Sequence, residues 1–255
     1  MKKTVSLLGM ITALLSLQAN AHDLWSVAKN GSVLEADIVY GHHFPTPEPI
    51  AKDRVALFEP MSVIGKNYQE TLTQSGEHDY HFEGTALKEG TYLVLSRYKP
   101  TTWIKKGDGS WEMGKTRKDT SDEVVYCGTV TKNGKMILSV GDKDGEFATQ
   151  PLNKGLELTP LVSPNKIKEG ELVKFKLTQD GKAVKQATIL GNYGGYASND
   201  MSVPFRAVTD LKGEFEFRPL KDGLWYLKAE QDRESGNKDC ETITESATLT
   251  FEVKP

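Results

Sequence analysis

"LEADIVYGHHF" (residues 34–44) decides the fold class. Leu34, Ala36, Ile38, Tyr40, His42 and Phe44 fall on one parity, and Glu35, Asp37 and His43 on the other. Successive side chains of a strand point to opposite faces, so a period of two marks a strand with one buried face. The same parity predicts His42 pointing inward and His43 outward. Both could reach one point in space only if Gly41 distorts the end of the strand.

Outward from this stretch the pattern stays β. "VALFEP" (55–60), "GTYLVLSRY" (90–98) and "GKMILSV" (134–140) read as further strands. No long segment has helical periodicity, and residues 112–126 can be read either way. The polar, turn-rich "DKDGEFATQPLNKG" (142–155) reads as a boundary. Beyond it, "LVKFKLT", "AVKQATILGNY", "FRAVTD", "EFEFRPL", "LWYLKAEQD" and "ATLTFEV" follow one another, several of them separated by the turns "QDGK", "LKG" and "KDG". Asp-Gly and Lys-Gly turns between short alternating runs predict antiparallel pairing. The expectation is an all-β chain of two β-sandwich-like domains. The first covers residues 22–150, and the second, residues 151–255, is immunoglobulin- or transthyretin-like. That architecture by itself implies no activity.

The N-terminus reads as a secretory signal over residues 1–21. Lys2 and Lys3 form its charged start, Val5 to Leu17 its apolar stretch, and Ala19-Asn20-Ala21 its small-x-small cleavage site. The apolar stretch is shorter than the roughly 20 residues that span a bilayer. No cysteine follows the cleavage site to carry a lipid. The mature chain is therefore expected to start at His22, in the periplasm. Without Lys2 and Lys3, the 32 basic residues fall to 30 against 35 acidic ones, a net charge of −5 with histidine neutral. A mildly acidic chain with no long basic block argues against nucleic acid as a partner. No second long apolar segment follows, so the mature protein is expected not to span a membrane.

Cys127 and Cys240 are the two cysteines, 113 positions apart. An oxidising compartment allows them one intramolecular disulfide, and two buried thiols are the alternative. Their spacing is no zinc signature, and the spacing does not say whether they meet.

All five histidines (His22, His42, His43, His78 and His81) lie in the first third of the sequence. Histidine is the commonest metal-ligating side chain near neutral pH. As a new N-terminus, His22 offers its amine and its Nδ1 as a ready chelate for one ion. Imidazoles from His42 and His43 would complete a nitrogen-rich planar or tetragonal site, which suits Ni(II) or Cu(II). Cleavage ahead of Asn20 would instead expose Asn20-Ala21-His22, which also binds these ions but in a different geometry. The opposing reading of His42 is a hydrogen-bonded core residue, and of "EHDYHF" (residues 77–82) a solvated hairpin. His78 or His81 would then serve at most as a third ligand or a capture point.

Motifs for enzymatic chemistry are missing: there is no G-x-S-x-G, no H-E-x-x-H and no phosphate-loop lysine. "GNYGGYASND" (191–200) is glycine-rich but lacks the Lys-Ser/Thr and the helix that a phosphate loop needs. Trp103 and Trp111, in "KPTTWIKKGDGSWEMGK", could stack on a sugar or dock a partner, with cross-strand packing in a hairpin as the simpler reading. The protein is expected not to be an enzyme.

"AHDLW", "YGHHF", "GTYLVLSRYKPTTW", "LELTPLVSP…EGELVKFKLTQDGKAV" and "TDLKGEFEFRPLKDGLWYLKAE" occur in that order along nearly the whole mature chain. This order resembles a family of bacterial periplasmic proteins long catalogued as a domain of unknown function, whose NikK-type members accompany energy-coupling-factor nickel or cobalt uptake transporters. The resemblance matches His22 and Trp25 in the first motif and Gly41, His42 and His43 in the second. It implies a protein that handles Ni(II), with Cu(II) or Co(II) as alternatives. Its partners would be the metal ion and the membrane components of the transporter. It implies no enzymatic activity. Two other readings remain open from the residues alone: a copper protein using the same nitrogens, and a metal-free interaction module of the cell envelope.

Overall fold

A computed structural model describes residues 22–141, 145–197 and 202–255. The signal and its cleavage site, residues 1–21, lie outside the described residues, as do parts of the boundary segment and of the glycine-rich loop. The first half carries β1 (Asp23–Asn30), β2 (Leu34–Gly41), β3 (Ser62–Gly65), β4 (Tyr68–Thr71), β5 (Thr73–Gln74), β6 (His81–Gly84), β7 (Gly90–Lys106), β8 (Trp111–Met113) and β9 (Val124–Val140). The second half carries β10 (Leu156–Pro160), β11 (Val173–Gln179), β12 (Lys182–Ala183), β13 (Thr188–Tyr193), β14 (Phe205–Val208), β15 (Glu214–Phe217), β16 (Gly223–Glu234) and β17 (Thr242–Val253). Four short 3-10 turns are the helical structure among the described residues. The chain is all-β, built as packed sheets.

A nine-stranded sheet runs through both halves in the order β14-β13-β16-β17-β9-β7-β3-β4, with β8 on β7. The two halves join where β17 pairs in parallel with β9, from Thr242↔Gly128 to Thr250↔Met136. A smaller sheet, β1-β2-β6-β5, packs on one face of this long sheet, and another, built on β10, β11, β12 and β15, packs on the opposite face. The alternation within β7 accounts for both layers. Leu93 and Ile137 belong to the core shared with Phe175, Phe217, Trp225 and Phe251. Their neighbours Val94 and Met136 belong to the core shared with Leu24, Ile38 and Phe82. A strand covered on both sides reads as a continuous apolar run, which is what "TYLVL" is.

Several local expectations need correction. "VALFEP" is a 3-10 turn at Val55–Leu57 rather than a strand. Leu57 and Phe58 donate backbone hydrogen bonds to Arg54 and Val55 instead of to a neighbouring strand. Residues 112–126 are divided among β8, a 3-10 turn at Arg117–Asp119 and the start of β9. The Asp180-Gly181 turn does join an antiparallel pair, β11 and β12. Both of its residues have positive φ, as a tight two-residue hairpin requires. The turns at "LKG" and "KDG" do not: β14 and β16 bond to β13, whereas β15 bonds to β11. Those turns carry the chain from one sheet to the other. Their glycines fix the bend but not which sheet receives the next strand.

The parity of residues 34–44 holds through Tyr40, but Val39 on the other face is buried as well. It packs with Trp25 of β1 and Tyr226 of β16, so the second half of the chain covers the face that the pattern leaves to solvent. Cys127 and Cys240 form a disulfide beside Ile104 and Val124, linking β9 to the segment that leads into β17.

Candidate metal centre

The site grows from the β1–β2 hairpin. Asn30↔Leu34 closes its register at one end and Asp23↔Gly41 at the other, with no shift between. Continued by one residue, that register sets His22 opposite His42. Side chains directly opposite on an antiparallel pair share a face and lie close together. Accordingly, the two imidazoles lie with ring centroids 4.7 Å apart and planes inclined by 30°. Tyr40, diagonal to His22 on the same face, stacks on it at 4.9 Å and 18°. Tyr40 is itself held edge-on by Phe58 and parallel to the buried Tyr98. The His22 ring thus contacts both His42 and a packed aromatic column.

Its surroundings favour the neutral, ligating form of His22. Burial, and next to it His42, holds the His22 imidazole below the usual histidine range; Arg54 and Lys132 act in the same direction, and Glu48 opposes them. A neutral imidazole is the form that binds a metal. Tyr40 is pushed above the usual phenol value by burial and then by Tyr98, so it stays protonated beside the pair.

His43 is placed differently. Its side chain is 71 % exposed, and its Nδ1 lies 2.7 Å from Glu48 Oε1. That hydrogen bond lowers the Glu48 carboxyl, with further help from the charges of His43, His42 and His22. Gly41 makes room for this arrangement, since a Cβ there would sit 2.9 Å from Glu48 Oε1. Of the three expected ligands, therefore, the structure brings His22 and His42 together, and His43 turns to Glu48 at the rim.

His78 and His81 stand apart. His81 pairs across strands with Asp37, Nδ1 to Oδ1 at 2.7 Å, and His78 stacks on Tyr80. Asp37 is five positions from His42 along the chain, about 16 Å in an extended strand, and has the opposite parity. Trp103 and Trp111 do not pair with each other across the β7–β8 hairpin. Arg54 lies over the Trp103 ring, and Trp111 packs edge-on against Tyr126.

The sequence left Tyr40, Glu48 and Arg54 without a role. Tyr40 was within reach, because it stands two residues from His42 on the same parity. Glu48 and Arg54 arrive on an irregular loop that has no period to read. Among the described residues no three His, Cys, Asp or Glu side chains converge in a way that could hold a metal ion. The protein side chains thus supply two imidazoles. This donor set is incomplete alone but fits a nitrogen-preferring ion once the His22 amine or an outside ligand is added. No helix among the described residues is long and apolar enough to cross a membrane.

The family model described as "Domain of unknown function (DUF4198)" matches residues 19–233, and the chain belongs to that family. No curated protein matches it.

Proposed function

We propose that this DUF4198 member is an exported, periplasmic protein that binds Ni(II), or Co(II), as cargo and captures it for the membrane components of a metal-uptake transporter. One observation carries the reading: the His22 and His42 rings face each other at 4.7 Å at the open end of the β1–β2 hairpin. Removal of residues 1–21 would free the His22 amine at that same point. Amine, His22 Nδ1 and the His42 imidazole then give three nitrogens from two residues. Resemblance to NikK-type components supports nickel as the cargo and a transporter as the destination. The role is binding and transfer, without catalysis.

The processed start is essential to this chemistry. Any residue left ahead of His22 turns its amine into an amide and removes one donor. The test exports the protein with its own signal, verifies the His22 start by intact mass, and titrates it calorimetrically with Ni(II). Tight binding that is lost in His22→Ala, and in a form carrying an extra N-terminal residue, is the expected result. Unchanged affinity in both would sink the N-terminal chelate, and no binding by the processed chain would leave a metal-free envelope module.

Copper is the second reading, because Cu(II) outcompetes Ni(II) at nitrogen donors generally. Tight copper binding in vitro is therefore expected under either reading. The metal that co-purifies from the periplasm, measured by mass spectrometry, separates them.

A further inference from the structure

The first three residues of β1 are each held from the second half of the chain. Asp23 pairs with Lys228 of β16, Oδ1 to Nζ at 2.5 Å. The Leu24 carbonyl accepts from the Thr248 hydroxyl of β17, 2.6 Å away. Trp25 packs on Tyr226 of β16, with ring centroids 5.2 Å apart. Lys228 and Thr248 stand opposite each other in the antiparallel β16–β17 register, so they share a face. One cross-strand pair thus holds two successive residues of β1.

The place of β1 in its sheet makes these ties matter. β1 is an edge strand, and among the described residues its ladder is with β2 alone. That ladder ends at Asp23↔Gly41, one residue short of His22. Chain ends fray unless something ties them down, and removal of residues 1–21 would make His22 such an end. The Asp23–Lys228 pair stands right beside it. Its side chains are 19 % and 23 % exposed, so salt screens it less than an open surface pair.

Resting on the metal-binding reading above, we infer that Lys228 is a positioning residue for the metal site. By gripping Asp23 it holds the new N-terminus in the strand position from which the His22 imidazole meets His42. A lysine ammonium has no lone pair to give an ion, so its effect passes through Asp23. The second half of the chain acts on the metal through the place it gives His22. A chelate whose two donors both sit on a chain end depends on this. An end already ordered loses little conformational freedom when the ion binds, and a loose one loses more.

Lys228→Met removes the charge and keeps the apolar stem, whereas Lys228→Arg returns a cation to Asp23. Asp23→Asn removes the same ion pair from its other side. All are made in the whole processed chain starting at His22, with folding verified by circular dichroism. In the metal-free protein, 15N relaxation should show the Asp23 and Leu24 amides ordered in the native and Lys228→Arg chains. In Lys228→Met the same amides should be loosened, and Asp23→Asn should loosen Leu24 likewise. Calorimetric titration with Ni(II) should show affinity lower by about 10–100-fold in Lys228→Met and Asp23→Asn, the range for outer groups that orient a ligand. Lys228→Arg should bind nickel nearly as the native chain does. A lower urea midpoint in Lys228→Met with native nickel affinity would mark a purely structural ion pair and overturn the positioning role. Amides that stay ordered without the pair, or equal losses of affinity in Lys228→Met and Lys228→Arg, overturn it too. All three results leave the metal site standing. No nickel bound by the native chain overturns the metal site, and the positioning role with it.

Discussion

The Thr248 hydroxyl donates a buried 2.6 Å hydrogen bond to the backbone carbonyl of Leu24, joining the last strand of the chain to the first. Leu24 stands two residues from His22. The far end of the sequence therefore fixes the strand that presents the candidate ligand. A second buried contact, Ser26 Oγ to Ser96 Oγ at 2.9 Å, ties the same strand to β7.

Thr248→Val keeps the shape of the side chain and removes the donor, leaving the Leu24 carbonyl short of a partner. A buried acceptor left unsatisfied costs about 1–3 kcal/mol. Urea unfolding followed by tryptophan fluorescence should show the midpoint falling with the slope unchanged. An unchanged midpoint would mean that Leu24 is satisfied by water.

His42→Ala and His43→Ala should differ. His42 faces His22, whereas His43 bonds Glu48 at the rim. Loss of a ligand should abolish tight Ni(II) binding, while loss of a group outside the coordination sphere costs at most about 10–100-fold. Calorimetric titration of both variants decides this, and equal losses would restore His43 as a ligand.

Acid should act on the site in a defined direction. The His22 imidazole is held below its ordinary value of 6.5 in the fold, chiefly by burial. Between the folded and unfolded values the unfolded chain binds more protons, so this histidine contributes full stability above pH 6.5 and withdraws it as pH falls through that window. Nickel affinity falls with acidity too, because protons compete for the same nitrogens. NMR titration of the metal-free protein should place the His22 midpoint below 6.5, and a midpoint above it would contradict the burial argument.

The Cys127–Cys240 disulfide closes a loop of 113 residues. Chain-entropy reasoning gives such a loop about 4–5 kcal/mol, and loss of a native disulfide usually costs about 2–5 kcal/mol. Cys127→Ala/Cys240→Ala should lower the urea midpoint accordingly, and reductant should then have no further effect. Stability equal to that of the oxidised protein would show that the pairing constrains little beyond what the parallel strands already hold.

What the sequence disclosed and withheld follows the range of the interactions. The Leu34-to-Tyr40 alternation and the Asp180-Gly181 hairpin are local, and both appear as read. Burial of Val39 depends on Tyr226, nearly two hundred residues away, so no window along the chain could show it. The crossing of "LKG" between sheets and the parallel β9–β17 pair are equally non-local, and no turn residue encodes them. At the site, His22 and His42 were each visible as candidates, but their meeting depends on the register of a hairpin whose turn had to be placed first. His43 points outward as its parity predicts, and the partner it meets there, Glu48, comes from a loop with no period to read.

The parallel seam between β9 and β17 also sets a timetable. A chain emerging from the ribosome presents β9 more than a hundred residues before β17 exists. Until the final strand arrives, β9 offers an unpaired edge, and β1 lacks the Thr248 anchor. The wide sheet can therefore close only after the last dozen residues appear. A half-finished chain therefore cannot build the continuous sheet that joins the two halves, even though the core around Leu24, Ile38, Phe82 and Val94 draws only on residues already made.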